Sequence, residues 1–136
     1  MEDQKNFSFF RRIFQGRLSR KPFFLANLVV IVGLSILGAA MVSSLGEEEL
    51  TNLMAFLGLL LLLITYPITV RRLHDTGNSG WVALIATIIF PLSGGILTLI
   101  YSLYLFIWPG KSEPNKYGPP EVGNRRFLDA IFNRGS

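Results

Sequence analysis

Residues able to do chemistry are rare in the middle of this 136-residue chain, and they lie together. Arg71, Arg72, His74 and Asp75 fall within five consecutive positions. A histidine beside an aspartate suggests acid–base chemistry. Neighbouring residues on a helix point in different directions, however, and no nucleophile is spaced to join this pair. We therefore predict no catalytic residue and no enzymatic activity, and we expect Asp75 to pair with one of the arginines.

The amino-acid composition excludes two kinds of metal site. The chain has no cysteine and a single histidine, so it has neither a thiolate metal site nor a multi-histidine metal site. We predict no metal and no cofactor. The net charge of +4 is interpreted as a signal of membrane topology and not of nucleic-acid binding, because lysine and arginine concentrate in the cytoplasmic loops of membrane proteins.

Five cations are candidates for an anion-binding site. Three precede the first apolar segment and two follow the second: Arg17, Arg20, Lys21, Arg71 and Arg72. One interpretation is that they only anchor the chain at the cytoplasmic membrane surface. The other is that they converge on a phospholipid headgroup or a phosphorylated ligand, assisted by the N-terminus of a helix that begins near Ser79. We expect residues 71–80 to form a polar turn built on His74, Asp75, Gly77, Ser79 and Gly80.

The distribution of charge predicts a membrane protein. Only six of the 22 charged residues lie within residues 22–110, and residues 22–46 and 50–70 carry none. Each of these two runs reaches the roughly 20 residues that a helix needs to cross the hydrocarbon core. This pattern excludes a water-soluble domain. We divide the chain into a basic amphipathic segment (1–21), a transmembrane bundle (22–110) and a tail with a short amphipathic helix (111–136).

Residues 81–108 leave two arrangements open. They form a third apolar stretch, which as a single helix would be about 42 Å long, and Pro91 to Gly95 interrupt it. The stretch is either a short hairpin that returns to its starting side or one kinked span, which would give three spans. We favour the hairpin, because it keeps all lysines and arginines and both termini in the cytoplasm. The hairpin requires a positive φ at Gly94 or Gly95, and its turn should lie against the first two spans or near the outer headgroups.

Three stretches form a recognisable pattern: GRLSRKPFF at 16–24, RRLHDTGNSGW at 71–81, and PG at 109–110 followed by NKYGPP at 115–120. In order and spacing they resemble the domain-of-unknown-function 805 family of bacterial inner-membrane proteins. The resemblance covers about residues 7–120 and implies a small membrane architecture in the bacterial inner membrane. It implies no mechanism, since the family has no established biochemical activity. The tail after Pro120 departs from the family's usual early end.

These observations predict an all-α fold, a small polytopic membrane bundle of two full spans and a broken apolar hairpin. We expect a non-enzymatic component of the inner membrane that binds anionic lipid headgroups, or a partner protein, through a basic cytoplasmic face. The alternative is a small oligomeric transporter or pore, and the sequence allows a second copy of the chain or another membrane protein as a partner. The spans hold no ionisable residue, which argues against a proton pump or an ion-coupled carrier.

Overall fold

The computed structural model describes residues 13–121 and 127–132, and this part of the chain is helical and contains no β-strand. Five α-helices follow one another: α1 (Arg20–Val42), α2 (Glu47–Thr76), α3 (Trp81–Ile89), α4 (Ile96–Ile107) and α5 (Phe127–Ile131). A 3₁₀ turn (Phe90–Ser93) separates α3 from α4. The all-α prediction is therefore confirmed.

Helices α1 and α2 form an antiparallel pair, and both are long and apolar enough to cross a membrane. Only 11% of the most apolar stretch of α1 and 17% of that of α2 are buried inside the protein. The core helix of a soluble protein would be mostly buried, whereas a helix in lipid keeps its apolar side chains exposed. The loop between them is closed by the backbone N–H of Gly46, which donates to the Glu49 carboxylate over 3.1 Å.

The predicted break between α3 and α4 is present. Gly94 and Gly95 have φ values of 66° and 89°, a conformation that costs glycine little and other residues much. The hydroxyl of Ser93 donates to the carbonyl of Phe90 over 2.6 Å and accepts from the backbone N–H of Leu97 over 3.1 Å. Ser93 thus satisfies polar backbone groups on both sides of the turn, and the positive-φ prediction is confirmed.

Both ends of this broken segment lie beside the same end of α2. Asn78, just before α3, donates to the hydroxyl of Tyr104 in α4 over 3.1 Å. Arg72 of α2 donates to the carbonyl of Leu105 over 2.8 Å. One continuous span would hold its two ends about 42 Å apart, so the segment is a hairpin. Gly94 and Gly95 are exposed, so the turn does not pack against the first two spans, and its other expected position, near the outer headgroups, stays a prediction.

The best-packed part of the protein is the end at which α1 and α3 begin and α2 and α4 end. We call it the charged end. Phe23 of α1 packs on Phe106 of α4 with ring centroids 5.3 Å apart. The hydrophobic core lies here and combines all five helices with the segment before α1: Leu18, Phe23, Ala26, Ile68, Val70, Leu73, Ala83, Leu105 and Ala130. The buried polar residues share this end, so it positions the candidate site.

The polar turn is shorter than the sequence predicts. Helix α2 continues to Thr76, so His74 and Asp75 belong to its last turn. The helix ends where Gly77 takes a φ of 87°. Gly77 then donates to the carbonyl of His74 over 3.1 Å and Asn78 to that of Leu73 over 2.9 Å, the bonding of a Schellman motif. Charged side chains do not end a helix, whereas a left-handed glycine does.

The helix after the turn also begins later than expected. Gly80 is the N-cap residue of α3, and no side chain caps this helix. The hydroxyl of Ser79 lies 3.4 Å from the backbone nitrogen of Trp81, too long for a strong hydrogen bond. Ser79 therefore belongs to the connecting turn and does not act as a cap.

Candidate functional site

Asp75 is the centre of a buried polar cluster at the charged end. Its carboxylate accepts from Arg17 Nε over 3.0 Å and from Arg72 Nη1 over 2.5 Å. The side chains of the two arginines are 1% and 0% exposed, and that of Asp75 is 6% exposed. The predicted pairing of Asp75 with an arginine is confirmed. With Arg71, these residues form what we call the arginine–aspartate cluster (Arg17, Arg71, Arg72 and Asp75).

Arg72 joins the end of α2 to the end of α4. Beyond its bond to Asp75, it donates from Nε to the carbonyl of Leu105 over 2.8 Å and from Nη2 to the carbonyl of Trp108. The last carbonyls of a helix have no partner within the helix. The Arg72 guanidinium supplies these partners and so holds the second arm of the hairpin against α2.

Arg17 closes the loop that follows α4. It donates to the carbonyl of Glu113 over 2.8 Å and also to that of Lys111. The backbone N–H of Lys111 in turn donates to the carbonyl of Asp75 over 2.9 Å. The segment before α1, the end of α2 and the loop after α4 are therefore connected through charged groups and main-chain atoms.

Arg71 holds the last helix. Its guanidinium donates from Nη1 to the carbonyl of Ile131 and from Nη2 to that of Ala130, both over 2.7 Å. These carbonyls lie at the C-terminus of α5, where a cation is favoured. The carbonyl of Arg71 accepts from the backbone N–H of Leu18 over 3.1 Å. Helix α5 is thus docked on the bundle.

His74 joins the same end of α2 to both neighbouring segments. Its imidazole lies parallel to the Tyr117 ring with centroids 3.7 Å apart, and its Nδ1 lies 3.2 Å from the carbonyl of Gly16. Asn115 donates to the carbonyl of His74 over 2.9 Å. The stack and the contact with Gly16 orient the ring, and the bond from Asn115 holds the backbone of His74.

Burial shifts the pKa values of His74 and Asp75 in opposite directions. His74 and Asp75 lie beyond the charge-free run of residues 50–70, which by itself is long enough to cross the hydrocarbon core. Burial lowers the pKa of His74, against the hydrogen bond to Gly16. Burial also raises the pKa of the Asp75 carboxyl, and the neighbouring Arg72 guanidinium opposes that rise. Desolvation disfavours the charged form in both cases.

The five predicted anion-site cations do not share one open pocket. Arg17, Arg71 and Arg72 are buried and donate to carboxylate and main-chain oxygens. Arg20 and Lys21 are exposed in the first turn of α1, and Arg20 reaches the carbonyl of Ile107 over 3.2 Å. Over residues 13–121 and 127–132, no group of three or more metal-ligating side chains comes together.

Three residues that pack beside the arginine–aspartate cluster were not predicted as site residues. Gly110, Asn115 and Tyr117 all contact the end of α2. They lie between residues 109 and 120, in the third of the recognised stretches. The signal that points to them is a glycine directly after an apolar helix together with a tyrosine in an otherwise polar loop. Such a signal predicts an ordered loop but does not say what the loop contacts.

Comparisons with known proteins agree with this architecture. The family model described as "Protein of unknown function (DUF805)" matches residues 12–119. The inner membrane protein YhaH of Escherichia coli is 31% identical over 111 residues, which cover 78% of this chain and 84% of that protein. The inner membrane protein YhaI of the same organism is 33% identical over 117 residues, covering 82% and 88%.

No solved structure matches the chain. The relatives are named as inner membrane proteins, and neither their names nor the family description gives any sign of an enzymatic activity. These names agree with the two long apolar helices and with the absence of a strand in the described part of the chain. The chain belongs to the family of membrane proteins of unknown function DUF805.

Proposed function

We propose that the protein is a non-catalytic component of the inner membrane whose charged end faces the cytoplasm and binds anionic lipid headgroups. Arg20 and Lys21 are the proposed contact residues. The observation that carries the proposal is that these two cations are exposed in the first turn of α1, directly before the exposed ring of Phe24. A cation next to lipid-facing apolar side chains lies at headgroup level.

The orientation rests on the positions of the charges. Every lysine and arginine of residues 13–121 lies at the charged end or in the loops attached to it. The acidic residues Glu47, Glu48 and Glu49 begin α2 at the opposite end. Lysine and arginine are enriched on the cytoplasmic side of short loops, which supports a cytoplasmic charged end and two cytoplasmic termini.

The arginine–aspartate cluster has a supporting part in this proposal. Its guanidinium groups are directed at main-chain carbonyls, so they fix loops and do not present charge to a ligand. The cluster also fixes the segment that leads into α1, because Leu18 is bonded to the carbonyl of Arg71. The exposed cations of α1 are therefore presented from a rigid base, which reduces the entropy lost on binding a headgroup.

Lipid retention tests the proposal. We expect the purified protein to retain phosphatidylglycerol in preference to phosphatidylcholine, as measured by native mass spectrometry. The double variant Arg20→Gln/Lys21→Gln should lose most of that preference. The matched control Arg20→Lys/Lys21→Arg keeps both charges and should keep the preference. An unchanged preference in the double glutamine variant would contradict the assignment of these two residues.

A pore or transporter receives no support from the described residues. One groove between α1 and α2 is lined by Leu34, Gly38, Leu57 and other apolar or small residues. A conducting path needs polar groups along its length. Since this groove offers mainly hydrocarbon and few hydroxyl groups, we do not propose a channel.

A further inference from the structure

A groove of about 430 Å³ opens beside the stacked rings of His74 and Tyr117. Its walls are rich in aromatic side chains, including Phe14, Tyr66 and Trp81. We call it the aromatic groove. It lies at the level where the charge-free run of α2 ends, and Trp81 at its edge is 70% exposed. Tryptophan and tyrosine prefer the boundary between hydrocarbon and headgroups, which supports a position of the groove at that boundary.

One polar atom in this groove, Nε2 of His74, can be assigned as a hydrogen-bond acceptor. His74 is 8% exposed, and its Nδ1 lies 3.2 Å from the carbonyl oxygen of Gly16. A carbonyl only accepts, so Nδ1 carries the proton, and Nε2 of the neutral imidazole is a hydrogen-bond acceptor. Among residues 13–121 and 127–132, Nε2 has no hydrogen-bond partner. His74 lines the groove, so this acceptor nitrogen is available to a donor group of a ligand that enters the groove.

Gly80 keeps the space in front of this acceptor open. A β-carbon at position 80 would lie 3.5 Å from His74 Nε2 and 2.8 Å from Cγ1 of Val70. Any side chain at position 80 would therefore fill this part of the groove and collide with its wall. The φ of Gly80 is −59°, so the backbone itself does not require glycine here. The requirement comes from the Val70 side chain, which a β-carbon at position 80 would hit, while Nε2 lies at ordinary contact distance.

The charge around the groove is positive. Lys116 Nζ lies 5.0 Å from the centroid of the Tyr117 ring, and Tyr117 is part of the groove wall. Burial chiefly lowers the pKa of His74, and the positive charges of Lys116 and Arg71 add to that effect. A ligand that brings a negative charge to the rim and a hydrogen-bond donor to Nε2 would match both features.

We propose that the aromatic groove binds an anionic glycerophospholipid whose headgroup carries a hydroxyl group, as phosphatidylglycerol does. The headgroup hydroxyl donates to His74 Nε2, and the phosphate lies on the side of Lys116. The apolar part of the lipid passes Tyr66 and Trp81 toward the hydrocarbon. This inference rests on the proposed lipid-binding function, but it assigns a second site with its own selectivity.

The test compares two anionic lipids with the same acyl chains. Phosphatidylglycerol has headgroup hydroxyl groups, whereas phosphatidylmethanol has the same charge and none. We expect the wild-type protein to retain phosphatidylglycerol about fivefold to tenfold better, the effect of one hydrogen bond to the His74 ring. Equal retention of the two lipids by the wild-type protein would overturn the proposal.

Two variants test whether the preference for phosphatidylglycerol over phosphatidylmethanol arises in the aromatic groove. His74→Asn keeps a donor for the Gly16 carbonyl and removes the Nε2 acceptor, so the preference for the hydroxyl-bearing lipid should disappear. Leu84 of α3 also lines the groove, so Leu84→Trp should fill it, leave His74 intact and lower retention of phosphatidylglycerol. It serves as the second measurement if His74→Asn does not fold. A full preference in either folded variant would contradict the site.

Failure of this inference is separable from failure of the proposed function. Arg20→Gln/Lys21→Gln should weaken the general preference for anionic over neutral lipid and leave the preference for phosphatidylglycerol over phosphatidylmethanol unchanged. His74→Asn should do the reverse. Loss of both preferences in both variants would show that neither residue set acts as a separate site and would overturn the groove assignment.

Discussion

Gly110 packs directly against the carboxylate of Asp75, at the point where the loop after α4 returns to the end of α2. A β-carbon at position 110 would lie 1.9 Å from Asp75 Oδ2 and 2.5 Å from its carboxyl carbon. No rearrangement of a flexible side chain relieves this contact, because Asp75 is held by Arg17 and Arg72. The backbone of the loop thus forms one wall of the carboxylate's binding pocket.

We expect Gly110→Ala to lower the free energy of unfolding by about 1–3 kcal/mol, the usual cost of overpacking a close-packed site. The added methyl group must push Asp75 away from its two arginines. The thermal unfolding midpoint in detergent measures the effect. Gly33→Ala is the matched control, because nothing lies within 4 Å of its β-carbon position in α1. An equal midpoint for the two variants would contradict the packing argument.

We expect Asp75→Asn to destabilise the protein by about 3–5 kcal/mol. The substitution preserves shape and removes the negative charge that the buried guanidinium groups of Arg17 and Arg72 contact, leaving those charges uncompensated. Glu113→Gln removes an equivalent charge from an exposed side chain and should change stability by less than about 0.5 kcal/mol. The same unfolding measurement compares them. A stable Asp75→Asn protein would mean that the carboxylate is not needed to hold the arginines.

We expect Arg72→Lys to be a poor replacement, with a loss of about 2–3 kcal/mol. Arg72 uses all three guanidinium nitrogens, toward Asp75, Leu105 and Trp108. An ammonium group is a compact charge and does not reproduce this planar fork. Lys21→Arg, at an exposed position, is the control and should be neutral. If Arg72→Lys retained full stability, Arg72 would be a simple charge anchor.

Stability should fall as the pH drops through the usual histidine range. Burial holds the pKa of His74 below its unfolded value of 6.5. The unfolded chain therefore binds a proton before the folded protein does, and the free energy of unfolding decreases as pH falls below about 6.5. Unfolding midpoints between about pH 8 and pH 5.5 report this slope. The variant His74→Gln cannot titrate and should show a flatter profile, and identical slopes would argue against a buried neutral His74.

Much of the architecture is readable from the sequence because lipid imposes strict conditions on it. Two charge-free runs predict α1 and α2, since a membrane span cannot hold many charges. Gly94 and Gly95 predict the hairpin turn, since only glycine takes positive φ at low cost. Such features depend on residue type alone, and the structure places each of them where the sequence predicts.

The candidate site is less readable, for a physical reason. Arg71 and Arg72 donate mainly to carbonyl oxygens of α5 and of α4. Every residue has a main-chain carbonyl group, so the residue types do not indicate which carbonyl an arginine will bind. The sequence therefore predicts that Asp75 pairs with an arginine. It does not predict that the remaining N–H groups of the arginines bind main-chain carbonyls. The same limit hides Gly110, whose role depends on a neighbour 35 positions away.

The proposed lipid-binding face requires that the charged end faces the cytoplasm. The native chain has no cysteine, so single cysteines report position without interference. Ser112 is exposed in the loop after α4, and Ser44 is exposed between α1 and α2. A membrane-impermeant maleimide applied to intact spheroplasts should label Ser44→Cys at once and Ser112→Cys only after permeabilisation. Labelling of Ser112→Cys in intact spheroplasts would contradict the cytoplasmic charged end and with it the proposed lipid-binding face.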